Sequence, residues 1–330
     1  MEVVGDKRII RNVLDVKDDF DTFLFDAYGV FWDGSKLVTG MLDAMEELVK
    51  SGKNVCVLTN MPQSCVDTEN HYMGRGLIKG KYYNYMFTSG QTFINNCEKD
   101  FNIANKKVFC LHTVLKPKLF NNIKYVKANN IEEADIIYID IPLFTKEEVD
   151  NLVEKYNFSV DDFYCIQGAY GCFNNKVFDV IAENVKNLNN KAVIVIACPD
   201  REIKVGDVFI KGPASFCDSF KKCGFETKQY GKPEKSMYDF VFAELEKLDI
   251  AVNKDRIVMI GDTLETDITG ANGFGIKNIL IFNDNGVAYN CVRDMCAESN
   301  GVSDDIKQLL AGCKKFENEK GVFVDYYLVG

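Results

Sequence analysis

A short apolar run that stops on a carboxylate constrains this chain more than any other stretch. The run TFLF occupies residues 22–25, and Asp26 and then AYGV at 27–30 follow it. Four consecutive apolar or β-branched residues are typical of a strand that is buried on both faces in a parallel sheet. Ligands of open α/β sheets bind at the carboxyl ends of such strands. The sequence therefore predicts that Asp26 lies at a ligand-binding edge.

The same arrangement recurs later in the chain. In the predicted strand 54–58 the apolar residues 55–58 end on Thr59, and in the segment 256–260 the apolar residues 257–260 end on a glycine followed by Asp262. Residues 40–50 have apolar side chains at helical spacing, which predicts a helix between the first two strands. Because a strand–helix–strand crossover brings both carboxyl ends to one edge of the sheet, we expect Thr59 beside Asp26.

Composition excludes several classes of function. A formal net charge of −10 argues against nucleic acid or an anionic membrane surface as a partner, since both need a positive protein surface. The longest apolar run, residues 192–198, is far shorter than the roughly 20 residues of a membrane helix, and the first residues lack the pattern of a signal peptide. We therefore expect a cytoplasmic protein. Two histidines exclude a histidine-rich metal site, and twelve scattered cysteines are expected to be free thiols.

A second series of strand and helix patterns begins near residue 90 and continues to about residue 211. Strand candidates within it are 108–111, 134–141 and 192–197. The first pattern then resumes. We therefore expect a core formed by residues 1–89 and 212–330, with residues 90–211 inserted as a second α/β domain.

Several chemically active side chains are expected at the edge of the core sheet. Asp26, Thr59 and Asp262 end strands, Asp267 follows shortly after, and Lys232 lies in a Gly-Lys-Pro turn. Magnesium prefers hard oxygen ligands and is often completed by substrate phosphate oxygens. A carboxylate beside such a cation stays ionised and can attack phosphorus, which would give an aspartyl-phosphate.

In their order, these residues resemble the four motifs of the haloacid dehalogenase-like hydrolase superfamily. The matching segments are DAYGV at 26–30, TN at 59–60, GKP at 231–233 and GDTLETD at 261–267. The chain is also similar to the class IIA branch, the NagD-like and pyridoxal-phosphate-phosphatase-like enzymes, because the space for a cap lies after the second motif. The segment ACPDR at 197–201 looks like the loop that ends that cap. The resemblance implies an α/β fold, a Rossmann-like doubly wound parallel sheet with an inserted C2-type cap.

The resemblance also implies roles for the residues of the core. Asp26 would be the nucleophile and a Mg²⁺ ligand, and the backbone carbonyl of Tyr28 would be another ligand. Lys232 would be the catalytic lysine that holds Asp26. Asp262 would bind the metal directly, and Asp267 would bind it through water or through bonds to its ligands.

Other matching residues would contact the substrate. Thr59 and Asn60 would bind the phosphoryl oxygens, and backbone N–H groups near Gly29 would assist as an anion nest. Asp200 and Arg201 are candidate substrate contacts from the cap loop, and a surface ion pair is the alternative interpretation of these two residues.

Tyr28 departs from the family pattern. Phosphatases of the superfamily have a second aspartate at this position, which protonates the leaving alcohol and then activates water. Such a general acid or base contributes about 10²–10⁴-fold in rate. A phenol with an ordinary pKa near ~10 can donate a proton but is a poor base for water. We expect a weak or selective phosphatase in which Tyr28 is a catalytic proton donor, unless it only packs against the cap.

The leading hypothesis is a Mg²⁺-dependent phosphohydrolase of a small phosphorylated metabolite, such as a sugar phosphate, a nucleotide or a cofactor phosphate. Its cap would set specificity, and the class IIA resemblance makes a homodimer a reasonable expectation. The alternative is a non-catalytic or weakly active protein that binds a phosphate ligand. A dehalogenase comes third: that branch has an aspartate-x-tyrosine first motif, but it has no use for a metal pair such as Asp262 and Asp267.

Overall fold

The computed structural model describes residues 2–4, 7–111, 118–205, 208–284, 286–289 and 306–329. The strands are β1 (Glu2–Val4), β2 (Lys7–Ile10), β3 (Thr22–Phe25), β4 (Asn54–Thr59), β5 (Tyr85–Thr88), β6 (Lys107–Leu111), β7 (Val126–Lys127), β8 (Ile136–Ile139), β9 (Phe163–Ile166), β10 (Ala169–Cys172), β11 (Val193–Ile196), β12 (Glu202–Val205), β13 (Val208–Lys211), β14 (Thr227–Gln229), β15 (Ile257–Gly261), β16 (Lys277–Ile281) and β17 (Tyr326–Leu328). The α-helices are α1 (Thr39–Lys50), α2 (Cys65–Met73), α3 (Ser89–Phe101), α4 (Lys146–Tyr156), α5 (Asn175–Leu188), α6 (Pro213–Lys222), α7 (Lys235–Lys247), α8 (Thr269–Phe274) and α9 (Ile306–Lys320).

The chain divides into two compact units. The first comprises Met1–Thr59, Val66–Phe87 and Lys232–Gly330, and the second comprises Asn60–Cys65 and Thr88–Gly231. The sequence-based boundary at residue 211 differs from this division, because residues 212–231 fall in the second unit. There α6 packs on β11, and β14 pairs in parallel with β11. The sequences of α6 and β14 do not indicate which sheet these elements will join. The boundary near residue 211 therefore depends on pairing between distant parts of the chain.

The first unit is built on a sheet of eight described strands in the order β1-β2-β17-β16-β15-β3-β4-β5. Neighbouring strands from β2 to β4 pair in parallel, and β1 pairs with β2 in the antiparallel sense. The predicted helix between β3 and β4 is present as α1. The expected α/β fold with a doubly wound, mostly parallel sheet is confirmed.

Both faces of this sheet are covered by apolar side chains. Phe23 and Phe25 belong to one buried cluster, which includes Tyr72 of α2, whereas Leu24 belongs to another, which includes Tyr238 of α7. Because successive residues of a strand point to opposite faces, the two clusters lie on the two sides of the sheet. This double burial explains why the strand reads as a continuous apolar run.

The second unit has its own parallel sheet, in the order β14-β11-β8-β6-β7. The central strands β8 and β11 are buried, and α4, α5 and α6 contribute to a cluster on one face while α3 contributes to a cluster on the other. Two antiparallel hairpins, β9–β10 and β12–β13, complete the unit. The architecture of the second unit is therefore that of the expected inserted α/β domain.

Both ends of the described chain contribute strands to the first sheet. Near the start of the chain, β2 pairs with β17. Near its end, α9 precedes β17, which is a buried strand. Residues 285 and 290–305 of the tail lie outside the described residues. None of the helices in the described ranges has the length and apolar character needed to cross a bilayer.

Candidate active site

The candidate site lies at the carboxyl ends of β3, β4 and β15. Phe25 is paired with Val57 of β4 and with Ile260 of β15, so the residues that follow these strands share one edge. From β3 the chain proceeds to one side of the sheet through β4 and β5, and from β15 it proceeds to the other through β16 and β17. Such a reversal point is where ligands bind in open α/β sheets. Asp26 and Thr59 are therefore at neighbouring strand ends, as expected.

Three carboxylates meet at this edge. One oxygen from each of Asp26, Asp262 and Asp267 lies within 4.8 Å of the other two. Asp262 is 3% exposed and Asp267 is fully buried, whereas the side chain of Asp26 is 14% exposed. Hard oxygen donors at this spacing suit Mg²⁺. The residues present therefore fit the metal that the motifs imply.

Lys232 ties two of these carboxylates together. Its Nζ atom donates hydrogen bonds to Oδ1 of Asp26 at 2.6 Å and to Oδ1 of Asp267 at 2.7 Å, and its side chain is 1% exposed. Burial acts to lower the pKa of Lys232, but the two carboxylates outweigh it and hold that pKa above its usual range. Burial raises the pKa of Asp26 well above its usual value, and Asp267 and Asp262 add to this against the effect of Lys232. One ammonium does not neutralise the cluster, which therefore favours a further cation.

Asp267 is held by backbone as well as by the lysine. Its Oδ2 atom accepts hydrogen bonds from the backbone N–H groups of Asp262 at 3.1 Å and Thr263 at 3.2 Å. A Cβ atom at Gly261 would lie 2.2 Å from the carboxyl carbon of Asp267, so a side chain there would displace this carboxylate. Asp267 itself lies in a π-helical turn, Leu264–Ile268, a geometry that is frequent at functional sites. Both carboxylate oxygens of Asp267 therefore accept hydrogen bonds within the site, Oδ1 from Lys232 and Oδ2 from the backbone.

Asp262 is supported by two further donors. The backbone N–H of Val287 donates to Oδ2 at 3.0 Å, and the hydroxyl of Thr263 donates to Oδ1 at 3.0 Å. Burial, together with the charge of Asp267, raises the pKa of Asp262 to about 7. Val287 was not predicted from the sequence, because its contact uses only the backbone and no side-chain pattern marks it.

Gly29 lies where the loop after Asp26 passes close to Asp262. Its backbone N–H donates to the carbonyl of Trp32 at 3.0 Å, and the anion nest near Gly29 stays a prediction. Gly29 has a φ of +72°, and a Cβ atom there would lie 2.0 Å from Oδ2 of Asp262. The glycine therefore allows the Asp26 loop to approach Asp262 closely.

Tyr28 lies in the same tight loop and is 36% exposed. The carbonyl of Ala27 accepts hydrogen bonds from the N–H groups of residues 30, 31 and 32, so the chain reverses direction immediately after Asp26. The phenol is the exposed protic side chain of this turn. This placement is compatible with proton donation and leaves that role as a prediction.

The remaining candidates belong to the second unit and engage each other. The side-chain amide of Asn60 donates to Oδ1 of Asp200 at 2.8 Å, and a Cβ atom at Gly231 would lie 2.6 Å from the amide oxygen of Asn60. Arg201 forms an ion pair with Asp218. Asn60 and Asp200 form a partly buried contact. The roles of Asn60, Asp200 and Arg201 in substrate binding stay predictions.

Comparison with known proteins places these observations in a family. A family described as haloacid dehalogenase-like hydrolase matches residues 23–117, and one described as HAD-hydrolase-like matches residues 229–309. Phosphoglycolate phosphatase 2 of Arabidopsis thaliana is 24% identical over 280 residues, which are 80% of this chain and 83% of that protein.

Solved structures show the same fold. A haloacid dehalogenase-like hydrolase from Brucella suis 1330 has a TM-score of 0.68 at 18% identity, covering 84% of this chain and 90% of that one. A putative NagD protein has a TM-score of 0.55 at 19% identity, covering 82% and 90%. The two family matches include the segments 26–30 and 261–267, which carry Asp26, Asp262 and Asp267. The chain therefore belongs to the haloacid dehalogenase-like hydrolases, and it shares the fold of the putative NagD protein.

Proposed function

We propose that this hydrolase is a Mg²⁺-dependent phosphatase that removes the phosphoryl group from a small phosphate monoester through an aspartyl-phosphate on Asp26. The observation that carries the proposal is the difference in exposure within the carboxylate cluster. Asp262 and Asp267 are sealed and engaged by backbone donors, whereas solvent reaches Asp26. Asp26 is therefore the carboxylate that a substrate can approach.

The contacts of Asp26 support its role as nucleophile. Lys232 holds Oδ1, and this bond orients Oδ2 for attack on phosphorus. When the Oδ2–P bond forms, the bond from phosphorus to the alcohol oxygen breaks, and that oxygen takes a proton, for which Tyr28 is the candidate donor. Water then attacks phosphorus and loses a proton to solvent, the Oδ2–P bond breaks, and the Asp26 carboxylate is restored as inorganic phosphate leaves.

Mg²⁺, when bound, would be held by Asp26, Asp262 and the carbonyl of Tyr28, and it would supply positive charge to the phosphoryl group. Asp267 would act through its neighbours, since it fixes Lys232 and the backbone at Asp262. Lys232 would offset charge on the transferring phosphoryl group from a fixed position.

Substrate size and class are inferred from the named relatives. The similar protein from Arabidopsis thaliana is named for phosphoglycolate, a small phosphate monoester. By extension we assign to this chain a small phosphorylated metabolite, such as a sugar phosphate, a nucleotide or a cofactor phosphate. Selection among them is assigned to the second unit, the cap of the class IIA branch.

A second candidate function is binding of a phosphate ligand without turnover. The observation that favours it is Tyr28, which stands where a carboxylate acid–base residue is expected and which cannot readily deprotonate water at neutral pH. A phosphate ester that raises the melting temperature but is not hydrolysed would identify this function.

The experiment that tests the first proposal is phosphate release from p-nitrophenyl phosphate and from a panel of sugar, nucleotide and cofactor phosphates. Each substrate is assayed with Mg²⁺ and with EDTA, for the wild type and for Asp26→Asn. We expect turnover that requires metal and is lost in the variant. Equal turnover by Asp26→Asn would refute the role of Asp26, and equal turnover in EDTA would refute the metal.

A further inference from the structure

A hydrogen bond between Asn60 and Asp200 joins two distant segments of the second unit. The side-chain nitrogen of Asn60 donates to Oδ1 of Asp200 at 2.8 Å, although the two residues are 140 positions apart in the chain. Asn60 is 6% exposed, and Asp200 is partly buried. Asn60 directly follows Thr59, the last residue of β4. The bond therefore connects the chain just after β4 to the loop at residues 197–201.

Asp200 is itself held in place by the start of α6. Its backbone carbonyl accepts a hydrogen bond from the N–H of Ala214 at 3.1 Å. A Cβ atom at Gly212 would lie 2.3 Å from the same carbonyl oxygen, so the glycine allows the loop to approach the helix this closely. The thiol of Cys198 donates to the second side-chain oxygen, Oδ2, at 3.6 Å. Asp200 therefore presents Oδ1 to Asn60 from a fixed position.

Ser89 joins the same two segments a second time. Its hydroxyl oxygen lies within hydrogen-bond distance of the carbonyl oxygen of Met61, at 3.0 Å, and of the carbonyl oxygen of Ala197. The serine side chain is fully buried. Residues 60–61 are therefore fixed against the loop at 197–201 by a backbone contact as well as by the side chain of Asp200.

Gly231, the residue before Lys232, packs against both segments. A Cβ atom at Gly231 would lie 2.6 Å from the side-chain oxygen of Asn60, 2.8 Å from Cδ of Pro199 and 2.9 Å from Cβ of Ser89. These contacts leave no room for a side chain at position 231. The chain that leads to Lys232 therefore passes directly over the amide group of Asn60.

The two ends of the Asn60 amide thus face different neighbours. Its nitrogen faces Asp200 and its oxygen faces Gly231. A carboxylate can only accept hydrogen bonds, so an amide turned by 180° would place two acceptors against each other at Asp200. The carboxylate of Asp200 therefore determines which way the amide of Asn60 points.

We propose that Asp200 is a positioning residue for phosphoryl binding, which acts by holding Asn60 in the orientation that binds the phosphoryl oxygens. The proposal rests on the phosphatase function proposed above, and it differs from the direct substrate contact that the resemblance implies for Asp200. A carboxylate has no hydrogen to donate to a phosphoryl oxygen and repels its charge, whereas an amide can donate. A donor that is already oriented stabilises the charge of the transferring group without reorganisation.

The test uses Asp200→Asn, Asn60→Ala and the double variant, with Asp162→Asn as the matched control. The side-chain nitrogen of Asn174 donates to Oδ1 of Asp162 at 3.2 Å, so the second unit contains another asparagine–aspartate pair. For each protein, kcat and KM are measured with p-nitrophenyl phosphate, a sugar phosphate and a nucleotide. The inhibition constant of inorganic phosphate and the melting temperature are measured as well.

We expect Asp200→Asn to lower kcat/KM about tenfold, and by the same factor for all three substrates, because they share only the phosphoryl group. The inhibition constant of inorganic phosphate should rise about fivefold. In the Asn60→Ala protein, Asp200→Asn should have no further effect, since the residue through which it acts is missing. Asp162→Asn should stay within about twofold of wild type in kcat/KM and in phosphate inhibition.

Three results would overturn the role of Asp200. The first is wild-type kcat/KM and phosphate inhibition in Asp200→Asn. The second is a loss that differs between substrates or that adds to the loss in Asn60→Ala, because either would indicate direct contact with the substrate. The third is an equal loss in Asp162→Asn together with a lower melting temperature, which would indicate general destabilisation. If Asp200→Asn does not fold, Asp200→Ser is held to the same criteria.

An inert wild type is a separate result, because it refutes the proposed phosphatase function without deciding the role of Asp200. Binding of inorganic phosphate in the presence of Mg²⁺, measured by calorimetry, then decides that role. Binding about fivefold weaker in Asp200→Asn than in wild type supports it. Equal binding by the two proteins, or no binding by the wild type, overturns it.

Discussion

The ammonium group of Lys232 donates a 2.6 Å hydrogen bond to Oδ1 of Asp26 at a position where only 1% of the lysine side chain is exposed. The bond joins a residue at the end of β3 to one that precedes α7 and is 206 positions away in the chain. Because the same ammonium also binds Asp267, the lysine fixes the position of the Asp26 carboxylate relative to Asp267 and balances part of the charge of the cluster.

Replacing Lys232 by methionine should damage both stability and activity. Removing one partner of a buried ion pair leaves uncompensated carboxylates, which costs about 3–5 kcal/mol of unfolding free energy. Activity should fall at least about a hundredfold, because the charge opposite the phosphoryl group is lost. Denaturant unfolding and phosphate release measure the two effects.

Lys235→Met is the matched control for this prediction. Lys235 is three residues further along the chain, is exposed and pairs with Asp239 on the surface of α7. Surface pairs contribute little, so this variant should change neither quantity appreciably. Equal effects of the two substitutions would contradict the account of Lys232.

Gly29→Ala should abolish activity through a steric conflict. The new Cβ atom would lie 2.0 Å from Oδ2 of Asp262 and would force the Asp26 loop away from the carboxylates. Gly52 provides the control, because its φ of +75° is nearly the same as the +72° of Gly29 but nothing lies within 4 Å of its Cβ position. Gly52→Ala should cost about 1 kcal/mol of stability through backbone strain and keep full activity.

Phosphate release and unfolding curves of the two alanine variants separate these causes. If Gly29→Ala retained activity, the contact between the loop and Asp262 would not matter for the reaction. If Gly52→Ala also lost activity, backbone strain at a positive φ would be enough to explain the loss in both variants.

The strand-end residues of the site could be predicted because their signals are local. An apolar run that ends on Asp26, Thr59 or Asp262 implies a buried strand and its tip, and parallel connections bring such tips together. The position of Lys232 had no comparable local signal, since a Gly-Lys-Pro turn is common on surfaces. Its prediction depended on the order of the motifs.

Two kinds of feature could not be predicted: hydrogen bonds from backbone groups, and the space that a glycine leaves for a neighbouring side chain. The N–H of Val287 on Asp262 and the space that Gly29 and Gly261 leave for the carboxylates depend on pieces of chain that meet only in the folded state. The same reason applies to β14, which the predicted boundary at residue 211 places in the first unit. The strand pairs with β11, which is distant in the chain, and nothing in its three residues indicates that pairing.

Tyr28→Asp should raise kcat/KM for alkyl phosphates by about 10²-fold or more, because a carboxylic acid is a better proton donor to an alkoxide. For p-nitrophenyl phosphate, whose leaving group needs no proton, kcat/KM should change little. Tyr28→Phe should lower the value for alkyl phosphates only. Equal changes for both kinds of substrate, measured by initial rates, would show that Tyr28 is not the proton donor.

Asp140 should make the second unit less stable at high pH. Its carboxylate is half-buried at the end of β8, and burial raises its pKa from 3.8 to about 6. The folded state therefore holds this proton more tightly than the unfolded state does. The resulting stabilisation is complete below pH 3.8 and is lost as the pH rises through about 6.

Asp140→Asn removes this titration. The variant should gain about 1–2 kcal/mol relative to wild type between pH 4 and pH 8, measured as unfolding free energy. Asp43→Asn, on the exposed face of α1, should show no such gain. A pH-independent difference between Asp140→Asn and wild type would contradict the effect of burial on this carboxylate.

The most direct test of the central claim is to locate the phosphoryl group on the protein during turnover. Wild type and Asp26→Asn are mixed with substrate and Mg²⁺, quenched in acid within the first turnover and digested, and the peptides are examined by mass spectrometry. The account predicts a phosphoryl group on Asp26 in the wild type and none in the variant. A phosphoryl group on another residue, or rapid turnover with no phosphorylated peptide at any time, would contradict it.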